Sequence, residues 1–179
     1  EKAAVSALTV EASPAIYRNA LATIVDERSP RGLLPALLRL HRDALTDENQ
    51  KLAADLMERG RALYVSVRQH FSVLGDHVMA GQPDATRAPK VRFRTGDVWH
   101  REISRTLSPF QIQWIEFAGG LNQLITLLAD LRGGERLSPE LLTEFRSAAD
   151  STYKLGEQLD QLLNDEDSNL VKWIEAGRT

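Results

Sequence analysis

Two consecutive apolar seams constrain this chain more than anything else in it. Phe110, Trp114, Phe117, Leu121, Leu124, Leu128 and Leu131 step by four and three without a miss. After Gly133-Gly134, a Ser138-Pro139 start leads into Leu141, Phe145, Ala148, Thr152, Leu155, Leu159 and Leu162 with the same spacing. A helical turn takes about 3.6 residues, so each series lies on one helix face. Two such faces joined by a short glycine-containing turn hide their apolar sides against each other. The expectation is an antiparallel helical hairpin of about 108–132 and 138–163.

A third long helix is expected before it, at about 46–80. Thr46 supplies a capping oxygen, and Asp47 and Glu48 follow at the positive end of the helix dipole. Leu52, Leu56, Leu63, Val67, Phe71, Leu74 and Val78 form its stripe. At about 1.5 Å per residue this helix is roughly 50 Å long. Gly60 weakens its middle and allows a bend.

Shorter elements fill the rest. Residues 1–9 read as the end of a helix begun upstream. Ser13-Pro14 signals a helix to about Glu27, with Ser as cap and Pro in the first turn. Ser29-Pro30-Arg31-Gly32 breaks it, and Leu33–Ala44 forms a short apolar helix with Pro35 in its first turn. Residues 81–89 read as loop. Residues 90–95 alternate, with Val91, Phe93 and Thr95 on one side and Lys90, Arg92 and Arg94 on the other, as a strand does. Asp97–Thr106 reads as a short helix, and Ser108-Pro109 as the start of the next. Leu170–Glu175 is a second strand candidate. It pairs either with 90–95 or with strands beyond this sequence. The fold class is therefore mainly all-α: an antiparallel bundle of long helices with at most a small two-stranded β element, one helical domain over 1–179.

Few chemistries are open to such a chain. It has no cysteine, which removes disulfides, thiol nucleophiles and cysteine-held metal clusters. Neither GxxxxGK[ST] nor GxGxxG occurs. Gly119-Gly120 reads as a point of close helix approach rather than a phosphate loop. His70 and His77 share a helix face two turns apart, too distant for one metal without help, and His41 and His100 stand alone. Paired acids such as Asp26-Glu27 and Asp47-Glu48 sit at helix ends, where acids cap. No catalytic residues and no metal ligands emerge. No apolar run reaches the roughly 18 residues a membrane helix needs, and cytoplasmic residence is expected.

Charge segregation is the informative feature. Arg87, Lys90, Arg92, Arg94, Arg101 and Arg105 stand against Asp97 and Glu102, a local charge of +4, with Phe93, Trp99 and His100 interleaved. Residues 133–168 carry nine acids against three bases, a local −6. Cations that follow phosphates, with rings that stack on bases, suit single-stranded nucleic acid. The same cations could instead face the acidic helix as surface ion pairs, each worth about 0–1 kcal/mol. Trp99 and Phe93 could likewise fill a core.

Three stretches carry a resemblance. Glu1-Lys2-Ala3-Ala4-Val5-Ser6-Ala7-Leu8-Thr9 resembles the segment just after the DEAH box of DinG- and XPD-like superfamily 2 DNA helicases. Arg31-Gly32-Leu33-Leu34 with Leu37-Leu38 resembles the Gly-Leu-Leu start of their arch-like helical insertion. Leu170-Val171-Lys172-Trp173-Ile174-Glu175 resembles the V-x-W-[IFV]-E strand by which those chains return to the motor. The resemblance implies a fragment of a larger protein, partnered by the rest of that chain and by single-stranded DNA, with no membrane. ATP and Mg belong to the parent's motor domains. The DEAH box, the Walker A loop and any cluster cysteines are absent here, so no ATPase activity is expected of this segment. The DNA-binding candidates Arg87, Lys90, Arg92, Phe93, Arg94, Trp99, Arg101 and Arg105 rest on charge and ring placement alone. Two other classes fit an all-helical chain: a protein-interaction module with an exposed apolar seam, and a small-molecule-binding regulatory domain with a closed pocket between its helices.

Overall fold

The computed structural model describes residues 12–26, 32–81, 90–131, 137–164 and 172–175. The readings made for residues 1–9, the 81–89 loop beyond residue 81, Arg87, Gly133-Gly134 and Leu170-Val171 lie outside them. Five α-helices and two short strands make up the described fold: α1 (Pro14–Val25), α2 (Leu33–Leu40), α3 (Asp47–Ala80), β1 (Lys90–Phe93), α4 (Val98–Ala129), α5 (Pro139–Asn164) and β2 (Lys172–Glu175). The protein is mainly all-α.

Local chemistry sets the helix starts. The Thr46 hydroxyl accepts from the Asn49 N–H at 3.2 Å, ahead of Asp47 and Glu48 in the first turn of α3. Ser138 does the same for Leu141 at the head of α5. Ser13 acts differently from the expectation. Its side chain makes no cap bond, and its carbonyl accepts from Ile16 instead, with Pro14 preset in the first turn. The short apolar helix ends at Leu40 rather than Ala44. A 3₁₀ turn at Arg42–Ala44 follows and leads into buried Leu45.

The largest departure is in α4. Sequence suggests a break before Ser108-Pro109, yet one helix runs from Val98 to Ala129 with Pro109 inside it. Proline there removes a backbone hydrogen bond and crowds the preceding turn, which costs about 3 kcal/mol. Burial outweighs it. Ile103 and Leu107 before the proline lie on the same buried face as Phe110, Trp114 and Phe117 after it, all at most 2% exposed. A break would swing one of these groups out of the core.

The bundle is built around α4, which packs against α3 on one side and α5 on the other. α1 lies across α3 and α5, with α2 beside it. Tyr17, Phe71, Phe110 and Trp114 form the aromatic centre. The Tyr17 ring meets Trp114 edge-on at 4.8 Å and Phe110 at 5.2 Å. Trp114 Nε1 donates to the Thr152 carbonyl at 2.8 Å, so its one polar atom is satisfied in full burial. The Tyr17 hydroxyl donates to the Leu155 carbonyl at 3.4 Å. Burial pushes that hydroxyl's pKa far above the usual tyrosine range.

Two glycines set helix separations. A Cβ on Gly60 would stand 2.4 Å from Val25 Cγ1, so Gly60 is where α1 closes on α3. A Cβ on Gly120 would stand 2.6 Å from Leu56 Cδ2, whereas Gly119 faces open space. The close-approach reading thus belongs to Gly120 alone.

β2 pairs antiparallel with β1, in the register Lys90–Glu175, Val91–Ile174, Arg92–Trp173 and Phe93–Lys172. The terminal strand candidate is therefore paired within the chain. Val91 and Ile174 pack with Val78 and Trp99 and seat the ribbon on the end of α3.

Candidate nucleic-acid interface

The basic segment is organised by one tight turn. The Asp97 N–H donates to the Arg94 carbonyl at 3.2 Å, and Gly96, third of the four residues, has φ +88°. That left-handed value is strained for any side chain but open to glycine. The Asp97 carboxylate then holds two elements at once. It accepts from the Arg94 N–H at 2.8 Å, closing the turn, and from the His100 N–H at 2.7 Å, capping α4. Slight desolvation pushes this carboxyl up. The N–H groups of Arg94, His100 and Trp99 and the charge of His100 outweigh it and hold the pKa below the ordinary aspartate value. β1 is thereby fixed in angle to the first turn of α4. The far side is pinned by His100, whose Nε2 donates to the Leu163 carbonyl near the end of α5 at 2.7 Å.

Alternation along β1 then divides its side chains. Val91 and Phe93 are buried; Arg92 and Arg94 are exposed. Arg92, Phe93, Arg94 and Asp97 line an open concavity of about 350 Å³. Lys90 opens β1 opposite Glu175. Arg101 is exposed on α4. Arg105 is exposed as well, but its Nη2 lies 2.7 Å from Glu102 Oε2, and that pair offsets its charge locally. Among the described residues, no ion pair joins Arg92, Arg94, Arg101 or Arg105 to α5. On α5, Asp160 accepts from Gln111 and Asn164 instead.

Phe93 is a correction: it is 3% exposed, belongs to the core and presents no face to a base. Trp99 is half-buried against Val78, Val91 and Ile174. The exposed ring is Trp173, 47% exposed and directly across the ladder from Arg92. Sequence reasoning misses it because this strand carries a large apolar residue on each face, Trp173 on one and Ile174 on the other, so alternation alone does not say which faces outward.

No family model, curated protein or solved structure matches this chain.

The site offers cations, an aromatic face and an open concavity, which together suit binding of an extended polyanion. Among the described residues, no group of three or more His, Asp or Glu side chains is placed to hold a metal ion. Nor is any described helix long and apolar enough to cross a membrane.

Proposed function

We propose that this chain is the helical arm of a DNA-translocating helicase of the DinG/XPD-like kind, and that its ribbon end follows the single strand. The observation that carries the reading is the exposed pair Arg92 and Arg94, turned outward from β1 and joined by no ion pair to α5 among the described residues. Cations held this way gain by displacing the counterions of a phosphate backbone. The topology fits the same reading: the strand that resembles the return to the motor pairs with the segment preceding α4, so the ribbon joins the two ends of the α4–α5 hairpin. In such a parent, ATP hydrolysis on Mg belongs to the motor domains. This arm supplies a wall along the strand's path.

A filter-binding titration of single-stranded DNA over a range of salt tests it. Replacing Arg92 and Arg94 with Glu is expected to weaken binding at least tenfold. It should also flatten the log–log salt dependence by about 0.7 for each phosphate no longer neutralised. Unchanged affinity and slope defeat the proposal. A second reading, a protein-interaction module, draws on Ile112 and Ile115, 58% and 49% exposed on α4, with Tyr153, 52% exposed on the adjoining α5. Replacing all three with polar residues leaves DNA binding intact if the first reading holds.

A further inference from the structure

β2 places two of its four residues against hydropathy. Lys172 is buried, 7% exposed, with Nζ donating to Thr95 Oγ1 at 3.1 Å, while the neighbouring Trp173 stands 47% exposed. A slip of one residue in register would reverse the two faces. The register observed turns the largest apolar ring outward and a lysine stem inward. Within this chain, an outward tryptophan forgoes the burial that usually makes that side chain useful.

What stands beside the ring gives it a use. Arg92 is the direct cross-strand partner of Trp173, and directly opposed residues have Cβ atoms about 4.5–5.5 Å apart on one face. Glu175 is on the Trp173 side of β2 but lies across from Lys90 in register, so the surplus of positive charge runs the other way, toward Arg94. An indole face, a guanidinium beside it and a second guanidinium further along match a base, its own phosphate and the next phosphate of one extended strand.

We infer that Trp173 and Arg92 form one binding unit for single-stranded DNA, the indole stacking on a base and the guanidinium holding the adjoining phosphate. This rests on the reading above that the ribbon end follows the strand. It adds the residue that grips the base and the strand of the ribbon that carries it.

The test uses the full chain and an oligo(dT) of about 15 nucleotides, with anisotropy for affinity and intrinsic fluorescence for stacking. Trp173→Ala is expected to weaken binding about five- to 150-fold with the salt slope unchanged, since every cation that meets a phosphate is still in place. Trp173→Phe keeps a ring and should retain most of the affinity. It should also abolish the fluorescence quenching that accompanies binding, because only the core Trp114 and the half-buried Trp99 remain. Arg92→Gln should lower the slope by about 0.7. Both positions are exposed, so the variants are expected to unfold at the wild-type midpoint. If Trp173→Ala binds as wild type while the Arg92→Glu, Arg94→Glu variant does not, the stacking unit is refuted and the arm reading survives. If the wild-type chain does not bind the oligonucleotide, both fall.

Discussion

Gly60→Ala is the sharpest test of how this bundle is spaced. In an isolated helix the change favours folding by about 1 kcal/mol, because glycine is a poor helix former. Here the new Cβ would lie 2.4 Å from Val25 Cγ1 and 3.3 Å from both Val25 Cβ and Cγ2. Turning the valine does not relieve this, since its branch point and second methyl are already tight and a β-branched side chain has one strongly preferred helical rotamer. The added methyl must push α1 away from α3. Overpacking of this kind costs about 1–3 kcal/mol, and the absence of an escape puts it at the upper end. The net expectation is destabilisation by about 2 kcal/mol in urea unfolding followed by far-UV circular dichroism. Val25→Ala alone should cost a similar amount through reduced burial. In the double variant the new methyl occupies the vacated space, so the two changes should cost about 2 kcal/mol less than their sum. A stabilised Gly60→Ala protein, or strict additivity, refutes the idea that this glycine sets the separation of α1 and α3.

The same geometry bears on three further positions. Pro109→Ala restores the missing N–H in the exposed flank of α4 and should raise stability by about 1–3 kcal/mol, read as a higher urea midpoint. The buried Tyr17 hydroxyl keeps its proton when the unfolded chain loses it near pH 10.0. Its contribution is therefore complete below that pH and declines above it, at up to about 1.4 kcal/mol per pH unit, and Tyr17→Phe should remove that part of the alkaline slope. Asp97 behaves in the opposite sense. Its depressed pKa makes its contribution complete above the ordinary aspartate value and lost as pH falls through the folded one. Asp97→Ala should cost about 1 kcal/mol at neutral pH and remove that acid dependence from the unfolding curve.

Much of the bundle is legible in the sequence because it depends on local rules. Thr46 and Ser138 cap where a hydroxyl before an apolar period is expected to cap, and the first seam is buried from Phe110 to Leu128, while the second is buried at Phe145, Thr152 and Leu159 with Ala148 and Leu155 half-buried. Three features are not legible, and each depends on what lies across from a residue rather than beside it. Pro109 reads as a boundary because its cost is local while the burial that offsets it is tertiary. Gly60 reads as a weak point because Val25 is remote in sequence. Phe93 reads as a candidate stacking ring and Trp173 does not, because ring exposure follows from the pairing of β1 with β2. The cations are easier to read: alternation alone puts Arg92 and Arg94 on the solvent side of a strand.

The pairing of β1 with β2 also makes the ribbon a gauge of something larger than itself. Two strands of four residues do not persist alone in water. They lie on either side of the whole α4–α5 hairpin, so the ladder exists only while both helices deliver β2 to its place. Amide exchange at Val91 and Phe93 should then report the opening of a hairpin whose far tip is a full helix length away. Any ligand that spans Arg92 and Trp173 would slow that exchange by tying the two ends of the excursion together.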